Sequence, residues 1–147
     1  MIIINKKANL NYRIFEKIEA GIVLLGSEAK SLRTRGGDLS NCYAKVIQGE
    51  VYLINLNIPI ENKKDYDSKR SRKLLLHKNE IVSISSKIKA QGLTLIPIKL
   101  YNKGPLFKLE LALAKSKRKY EKKESIKKRD IEREIESELR NSIKYRG

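Results

Sequence analysis

The sequence is poor in the residues on which disulfide-bonded, metal-binding and membrane proteins depend. It has one cysteine, Cys42, so no disulfide can form within the chain and no cysteine metal cluster can be built. Such usage favours a reducing compartment. The apolar run at residues 1–4 ends at Asn5, far short of a signal-peptide core, and no segment approaches the roughly 20 apolar residues of a membrane-spanning helix. We therefore expect a soluble cytoplasmic protein that does not bind membranes.

Groups that catalyse reactions are also scarce. His77 is the only histidine, and no serine or cysteine nucleophile motif accompanies it, so its position favours a helix start over catalysis. Gly36 and Gly37 lack the Lys-Ser/Thr continuation of a phosphate-binding loop, and no carboxylate pair stands out. The sequence therefore predicts no catalytic residue, no metal and no cofactor. A nuclease that uses His77 is kept as an alternative.

Positive charge is what the chain has in excess. Thirty-three Lys and Arg residues face 17 Asp and Glu residues, for a net charge of +16. A charge of that size disfavours the compact state by self-repulsion, so a polyanionic partner is the natural reason to keep it. The excess is uneven, because residues 1–114 carry 20 basic and 10 acidic residues while residues 115–147 carry 13 and 7. The last segment therefore has the character of a basic tail.

Apolar periodicity predicts a mainly β domain over residues 1–114. Strands are predicted at residues 12–19, 20–25, 43–47, 51–56, 93–101 and 106–114, and helices at residues 27–35 and 77–91. Ser27 is expected to cap the first helix, Glu28 to favour its positive end, and Pro97 to mark a sheet edge or a bulge. Residues 61–72 are interpreted as a mobile loop. Five or six short strands with inserted helices favour a small closed or nearly closed barrel.

The tail, residues 115–147, has a thin apolar stripe in which Ile131, Ile135 and Leu139 recur every four residues. Because charged residues surround this stripe, the tail has little reason to pack on the barrel. We expect it to be disordered alone and helical when a partner binds it.

Three basic clusters and one acid are candidates for binding. Lys30 and Arg33 share a face of the first helix, and residues 63–73 carry six basic side chains; either cluster fits a solvated surface or a phosphate contact. Residues 115–123 place six bases around Tyr120, which is typical of RNA binding by stacking and charge. Glu19 has no local role in this basic chain, and a carboxylate can accept hydrogen bonds from base amino groups.

Several of these stretches together resemble one bacterial family, the SsrA-binding protein or small protein B. The similar stretches run in the family's order and are NKKA (5–8) with Tyr12, EAGI (19–22), GSEAKSLR (26–33), RKLLLHK (72–78), GLTLIPIKLY (92–101) and LAKSKRKYEKK (113–123).

The resemblance implies an oligonucleotide-binding (OB) fold-like β-barrel with about three short helices. It also implies that the barrel binds the tRNA-like domain of transfer-messenger RNA, as a monomer in that complex. The tail would occupy the empty mRNA channel and decoding centre of the small subunit in stalled ribosomes and become helical there, in the process called trans-translation.

The family motifs also imply site residues. Positions implicated in RNA contact match Asn5, Glu19, Leu75 and Lys108, with Tyr12, Arg33 and Tyr43 in second rank and Lys30 added for its charge. The residues expected to act in the ribosome are Lys115, Lys117, Arg118, Tyr120, Glu121, Lys122 and Lys123. The alternative function is a general ribosomal or nucleic-acid-coating basic protein.

Overall fold

The computed structural model describes residues 2–117, and within that range it contains seven strands and three helices. The strands are β1 (Ile2–Ile4), β2 (Tyr12–Ile22), β3 (Tyr43–Ile47), β4 (Glu50–Ile54), β5 (Arg72–Leu75), β6 (Thr94–Lys103) and β7 (Leu106–Ser116). The helices are α1 (Ala8–Asn11), α2 (Gly26–Arg35) and α3 (Lys78–Gln91). The predicted mainly β class with about three short helices is confirmed.

All seven strands belong to one antiparallel sheet with the order β1-β6-β3-β4-β5-β2-β7. In addition, β6 pairs with β7. The succession of pairings from β6 through β3, β4, β5, β2 and β7 therefore returns to β6, and β1 pairs with β6 in addition.

Local sequence signals fix two details of this sheet. The β3–β4 hairpin turns at Gln48 and Gly49, which both have positive φ (51° and 76°), as a tight two-residue turn requires. The predicted irregularity at Pro97 is confirmed, since the register of β6 against β7 shifts between Pro97 and Lys99.

The main core lies on the inner face of the sheet and includes alternate residues of β7, namely Phe107, Leu109, Leu111 and Leu113. Ala112 lies on the opposite face of β7 from this row, as strand alternation requires, but it is not exposed to solvent. Ala112 is fully buried in a second cluster with Ala8 and Ile96, because α1 covers this part of the outer face. Sequence alternation alone could not reveal that a four-residue helix lies over the strand.

The structure corrects one prediction about α2 and adds to another. The helix N-cap is Leu25 rather than Ser27, and the Leu25 N–H donates to Glu28 Oε1 at 2.8 Å. Glu28 lies in the first turn, but its carboxylate is fully buried and binds Arg70 and Arg72. Burial alone would raise the pKa of Glu28, but hydrogen bonds from Arg70, the Leu25 N–H, Arg72 and Tyr66 outweigh burial and lower it to about 2.

The Glu28 cluster also corrects the interpretation of residues 61–72 as a mobile, purely polar loop. Tyr66 donates to Glu28 Oε2 at 2.8 Å, and the Arg72 Nε donates to the same oxygen at 3.0 Å. Arg72 is fully buried and is the first residue of β5. Buried Arg72 is thus not available as a phosphate contact, and the bonds of Tyr66, Arg70 and Arg72 to Glu28 anchor this segment to α2.

Other elements also differ from the prediction. The two strands predicted at residues 12–19 and 20–25 form a single strand, β2 (Tyr12–Ile22). The strands β1 and β5 were not predicted, and β7 continues to Ser116, two residues past the expected end of the domain at residue 114. His77 is the N-cap of α3, as its helix-start interpretation predicts, and its N–H donates to Glu80 Oε1 at 3.0 Å. Among residues 2–117, no helix has the length and apolar character needed to cross a membrane.

Candidate nucleic-acid interface

Four neighbouring strands carry a row of paired residues on the outer face of the sheet. Lys108 of β7 lies opposite Gly21 of β2 on one side and Tyr101 of β6 on the other. Gly21 in turn lies opposite Leu75 at the end of β5. Because directly paired residues of an antiparallel sheet point to the same face, the register places Lys108, Tyr101 and Leu75 on one continuous surface.

This surface borders an open cavity of about 500 Å³. Three residues implicated by the family motifs, Glu19, Leu75 and Lys108, line it together. The remaining lining residues are Gly21, Leu76, His77 and Glu80. The structure therefore brings together a carboxylate, an exposed apolar side chain and an ammonium group that are up to 89 positions apart in the chain.

Glu19 is held by donors from β6. The Tyr101 hydroxyl donates a short hydrogen bond to Glu19 Oε2, and Lys103 Nζ lies 3.2 Å from Oε2 and 3.3 Å from Oε1. The hydrogen bond from Tyr101, followed by that from Lys103, lowers the pKa of Glu19. Burial and the bond to Glu19 raise the pKa of Tyr101 to about 12. At neutral pH the tyrosine is therefore the donor and the glutamate the charged acceptor.

Leu75 is unusual for a strand leucine because 55% of its surface is exposed. It lies over Gly21, and a Cβ atom added to Gly21 would stand 3.2 Å from the Leu75 Cβ. The glycine therefore lets the leucine lie close to β2. An exposed apolar side chain beside charged groups can pack against the face of an unpaired base.

Lys108 supplies an available positive charge. It is half-buried, and its ammonium group makes no hydrogen bond or ion pair with any residue of the range 2–117. The neighbouring carboxylate of Glu110 is already paired with Lys17 at 3.6 Å and Lys99 at 3.3 Å. An ammonium group so placed fits a phosphate oxygen.

Other predicted RNA contacts lie elsewhere. Asn5 is buried, its Nδ2 donates to the Pro97 carbonyl at 2.9 Å and its Oδ1 accepts from the Lys7 N–H at 3.3 Å, so the structure gives it a structural role. Tyr12 starts β2, nine residues before Gly21 and thus about 30 Å from the cavity at roughly 3.3 Å per residue.

Lys30, Arg33 and Tyr43 are likewise away from this cavity. Lys30 is exposed on α2. Arg33 is also exposed on α2, where it donates to the Pro105 carbonyl at 3.3 Å and stacks over Phe107, with its guanidinium carbon 5.2 Å from the ring centroid. Tyr43, which is 41% exposed, borders a different cavity between β3 and α3.

The first two tail residues predicted to act in the ribosome are attached to the folded domain. Lys115 lies in β7 opposite Arg13. Lys117 donates through its backbone N–H to the Asn11 carbonyl at 2.9 Å and through Nζ to the Asn9 carbonyl at 2.6 Å. The other predicted tail residues, Arg118, Tyr120, Glu121, Lys122 and Lys123, lie outside the described residues.

Sequence reasoning missed Gly21, Tyr101 and Lys103 as parts of the site. Gly21 and Tyr101 fall within the similar stretches, but their importance comes from cross-strand neighbours. The strand register, which periodicity alone does not give, was the missing signal. Within residues 2–117, no three His, Cys, Asp or Glu side chains are grouped to hold a metal ion.

The fold and this site are typical of a small basic β-sheet protein that binds nucleic acid. A family model described as SmpB protein matches residues 2–141. The chain is 47% identical over 146 residues to the SsrA-binding protein of Thermosipho africanus (strain TCF52B), covering 97% of this chain and 98% of that one. It therefore belongs to the SmpB protein family.

Two further comparisons agree. The SsrA-binding protein of Carboxydothermus hydrogenoformans (strain ATCC BAA-161 / DSM 6008 / Z-2901) is 48% identical over 139 residues, covering 92% of this chain and 93% of that one. A solved structure described as "tmRNA-SmpB: a journey to the center of the bacterial ribosome" is 41% identical, with a TM-score of 0.65 over 85% of this chain and 94% of that chain.

Proposed function

We propose that this protein is a non-enzymatic RNA-binding factor of trans-translation. It binds the tRNA-like domain of transfer-messenger RNA as a monomer and delivers that RNA to stalled ribosomes in the cytoplasm. The observation that carries the proposal is the joint cavity of Glu19, Leu75 and Lys108 in a chain of the SmpB family.

The three side chains have complementary tasks in this proposal. Glu19 accepts hydrogen bonds from amino groups on a base edge, Leu75 packs on the face of an unstacked base, and Lys108 contacts a phosphate. Base edges and faces are accessible together in the loops of a folded RNA, whereas a continuous RNA duplex hides them in its deep, narrow major groove. The site therefore favours loops of a folded RNA over a duplex.

The circuit of strand pairings supports a further proposal, that the strands form an OB-fold-like barrel. OB folds commonly present one sheet face and adjoining loops to nucleic acid. In the same proposal, residues 118–147 reach the mRNA channel and the decoding centre as a helix. Their seven acidic and eleven basic residues, counted from the sequence after Lys117, would bring a net +4 to the ribosomal RNA.

The test is binding of the full-length chain to a transcript of the tRNA-like domain, compared with an RNA duplex of equal length at physiological salt. We expect clear preference for the tRNA-like domain. Leu75→Ala should weaken that binding roughly 5- to 30-fold, the effect of about 1–2 kcal/mol of lost apolar burial. Val82→Ala is the matched control, because Val82 is 59% exposed but lies on α3 away from the cavity lining.

The alternatives give different results in the same experiment. Equal affinity for both RNAs, lost together as salt is raised, would indicate a general nucleic-acid-coating protein. Cleavage of the RNA that is abolished by His77→Ala would indicate a nuclease, since His77 also borders the cavity.

A further inference from the structure

Glu19 and Lys108 have opposite charges and line the same cavity, yet they do not form an ion pair. The structure pairs Glu19 with Lys103 and Tyr101 of β6 instead. If Glu19 and Lys108 were bound to each other, the ammonium group would be less able to bind an RNA phosphate.

The other carboxylates near Lys108 are also committed. Glu110 is paired with Lys17 and Lys99, and Glu80 accepts the N–H of His77 at the start of α3. Among these carboxylates, Glu19 is therefore the one that would pair with Lys108 if it lost its present partners.

Tyr101 is well placed to keep the Glu19 carboxylate away from Lys108. It lies directly opposite Lys108 in the β6–β7 register, so its hydroxyl reaches Glu19 across β7. The ring is half-buried, and Lys99 Nζ lies 5.5 Å from the ring centroid. By contrast, the side chain of Lys103 is 62% exposed, and an exposed lysine holds a carboxylate only weakly.

We propose that Tyr101 is a positioning residue of the RNA site, which binds the Glu19 carboxylate so that Lys108 remains unpaired for an RNA phosphate. This inference rests on the proposed function. Without the Tyr101 hydroxyl, Glu19 turns towards Lys108 and neutralises it, so the protein loses both the oriented carboxylate and one phosphate contact.

The test is Tyr101→Phe in the full-length chain, with the salt dependence of binding to the tRNA-like domain as the readout. We expect affinity to fall about 3- to 10-fold at low salt. The plot of log affinity against log salt concentration should become shallower by up to about 0.7–0.9, the contribution of one phosphate contact. Tyr52→Phe is the control, because the Tyr52 hydroxyl makes no hydrogen bond within residues 2–117.

Double variants separate positioning from loss of structure. In a Lys108→Gln background, Tyr101→Phe should leave the salt slope unchanged, because no ammonium group remains to be neutralised. In a Glu19→Gln background, Tyr101→Phe should also leave the salt slope unchanged, because no carboxylate remains that could pair with Lys108. A mere structural defect would lower affinity equally in all three backgrounds and would overturn the inference.

The failure of this inference differs from the failure of the proposed function. If the wild-type chain prefers the tRNA-like domain and Tyr101→Phe has the wild-type affinity and slope, the function stands and the positioning role is refuted. If the wild-type chain shows no preference for that RNA, the proposed function fails and the positioning role fails with it.

Discussion

Replacing Glu28 by Gln tests whether the buried ion cluster holds β5, and with it Leu75, in place. The substitution keeps the size of the side chain but removes the charge that faces Arg70 and Arg72. Arg72 is fully buried, so its guanidinium would be left without a counter-charge. Breaking a buried ion pair from one side costs about 3–5 kcal/mol.

The pKa of Glu28 gives an independent magnitude. It falls from an ordinary 4.5 to about 2, a difference of about 2.5 pKa units. At about 1.36 kcal/mol per unit, ionised Glu28 stabilises the folded state by about 3 kcal/mol. Because the folded-state pKa is the lower one, this stabilisation is complete above pH 4.5 and is lost as the pH falls from about 4.5 to about 2.

The assay is urea unfolding followed by far-ultraviolet circular dichroism at pH 7 and at steps down to pH 2. We expect Glu28→Gln to lose about 3–5 kcal/mol of unfolding free energy at pH 7. Between pH 4.5 and 2, the unfolding free energy of the variant should fall less steeply than that of the wild type. Glu61→Gln is the control: Glu61 pairs with Arg35, but the two side chains are 71% and 48% exposed, so about 0–1 kcal/mol is expected. A loss below 1 kcal/mol in Glu28→Gln would refute the account of the cluster.

Three shorter predictions address the rest of the molecule. Gly21→Ala should displace Leu75, because the added Cβ would lie 3.2 Å from the Leu75 Cβ, and it should weaken binding of the tRNA-like domain several-fold. Gly26→Ala is the control and should leave this binding unchanged, because nothing lies within 4 Å of the added methyl group. Asn5→Ala should lower the unfolding free energy by about 1–3 kcal/mol, because the hydrogen bond to the Pro97 carbonyl is lost. A loss of RNA affinity without a loss of stability would instead support Asn5 as an RNA contact. Removing residues 118–147 should leave the melting temperature unchanged and free RNA bound while activity on stalled ribosomes is lost, and unfolding of the shortened chain would contradict that division.

The parts of the fold that were predicted correctly depend on near neighbours in the chain. These parts are the break between the strands predicted at residues 43–47 and 51–56, the bulge at Pro97 and the end of the helix predicted at residues 77–91. Each follows from the conformational limits of one or two residues, and Gly49 and Gly92 have the positive φ that a turn or a helix end needs. The alternating apolar row of β7 likewise needs only its own strand. Such features can be read from the sequence because no distant partner decides them.

The parts that were missed depend on distant partners. Arg72 looked like one more base of a polar loop, but Glu28, 44 positions away, makes it the buried start of β5. In the sequence, Tyr101 has no feature that distinguishes it from other strand residues, because its hydrogen bond is to Glu19, 82 positions away. The family resemblance supplied Glu19, Leu75 and Lys108 as candidates, but only the register of β5, β2 and β7 brings them to one cavity.

The β2–β7 ladder connects the cavity to the last described residues of the chain. Its pairing runs from Tyr12 opposite Ser116 to Gly21 opposite Lys108, eight residues along β7, or about 27 Å at roughly 3.4 Å per residue. The cavity lies at one end, and Lys117 is fixed to α1 at the other. Because the two ends share one ladder, interrupted only by the register shift between Ile14 and Glu16, the proposed function would hold an RNA phosphate bound to Lys108 at a set distance from Lys117.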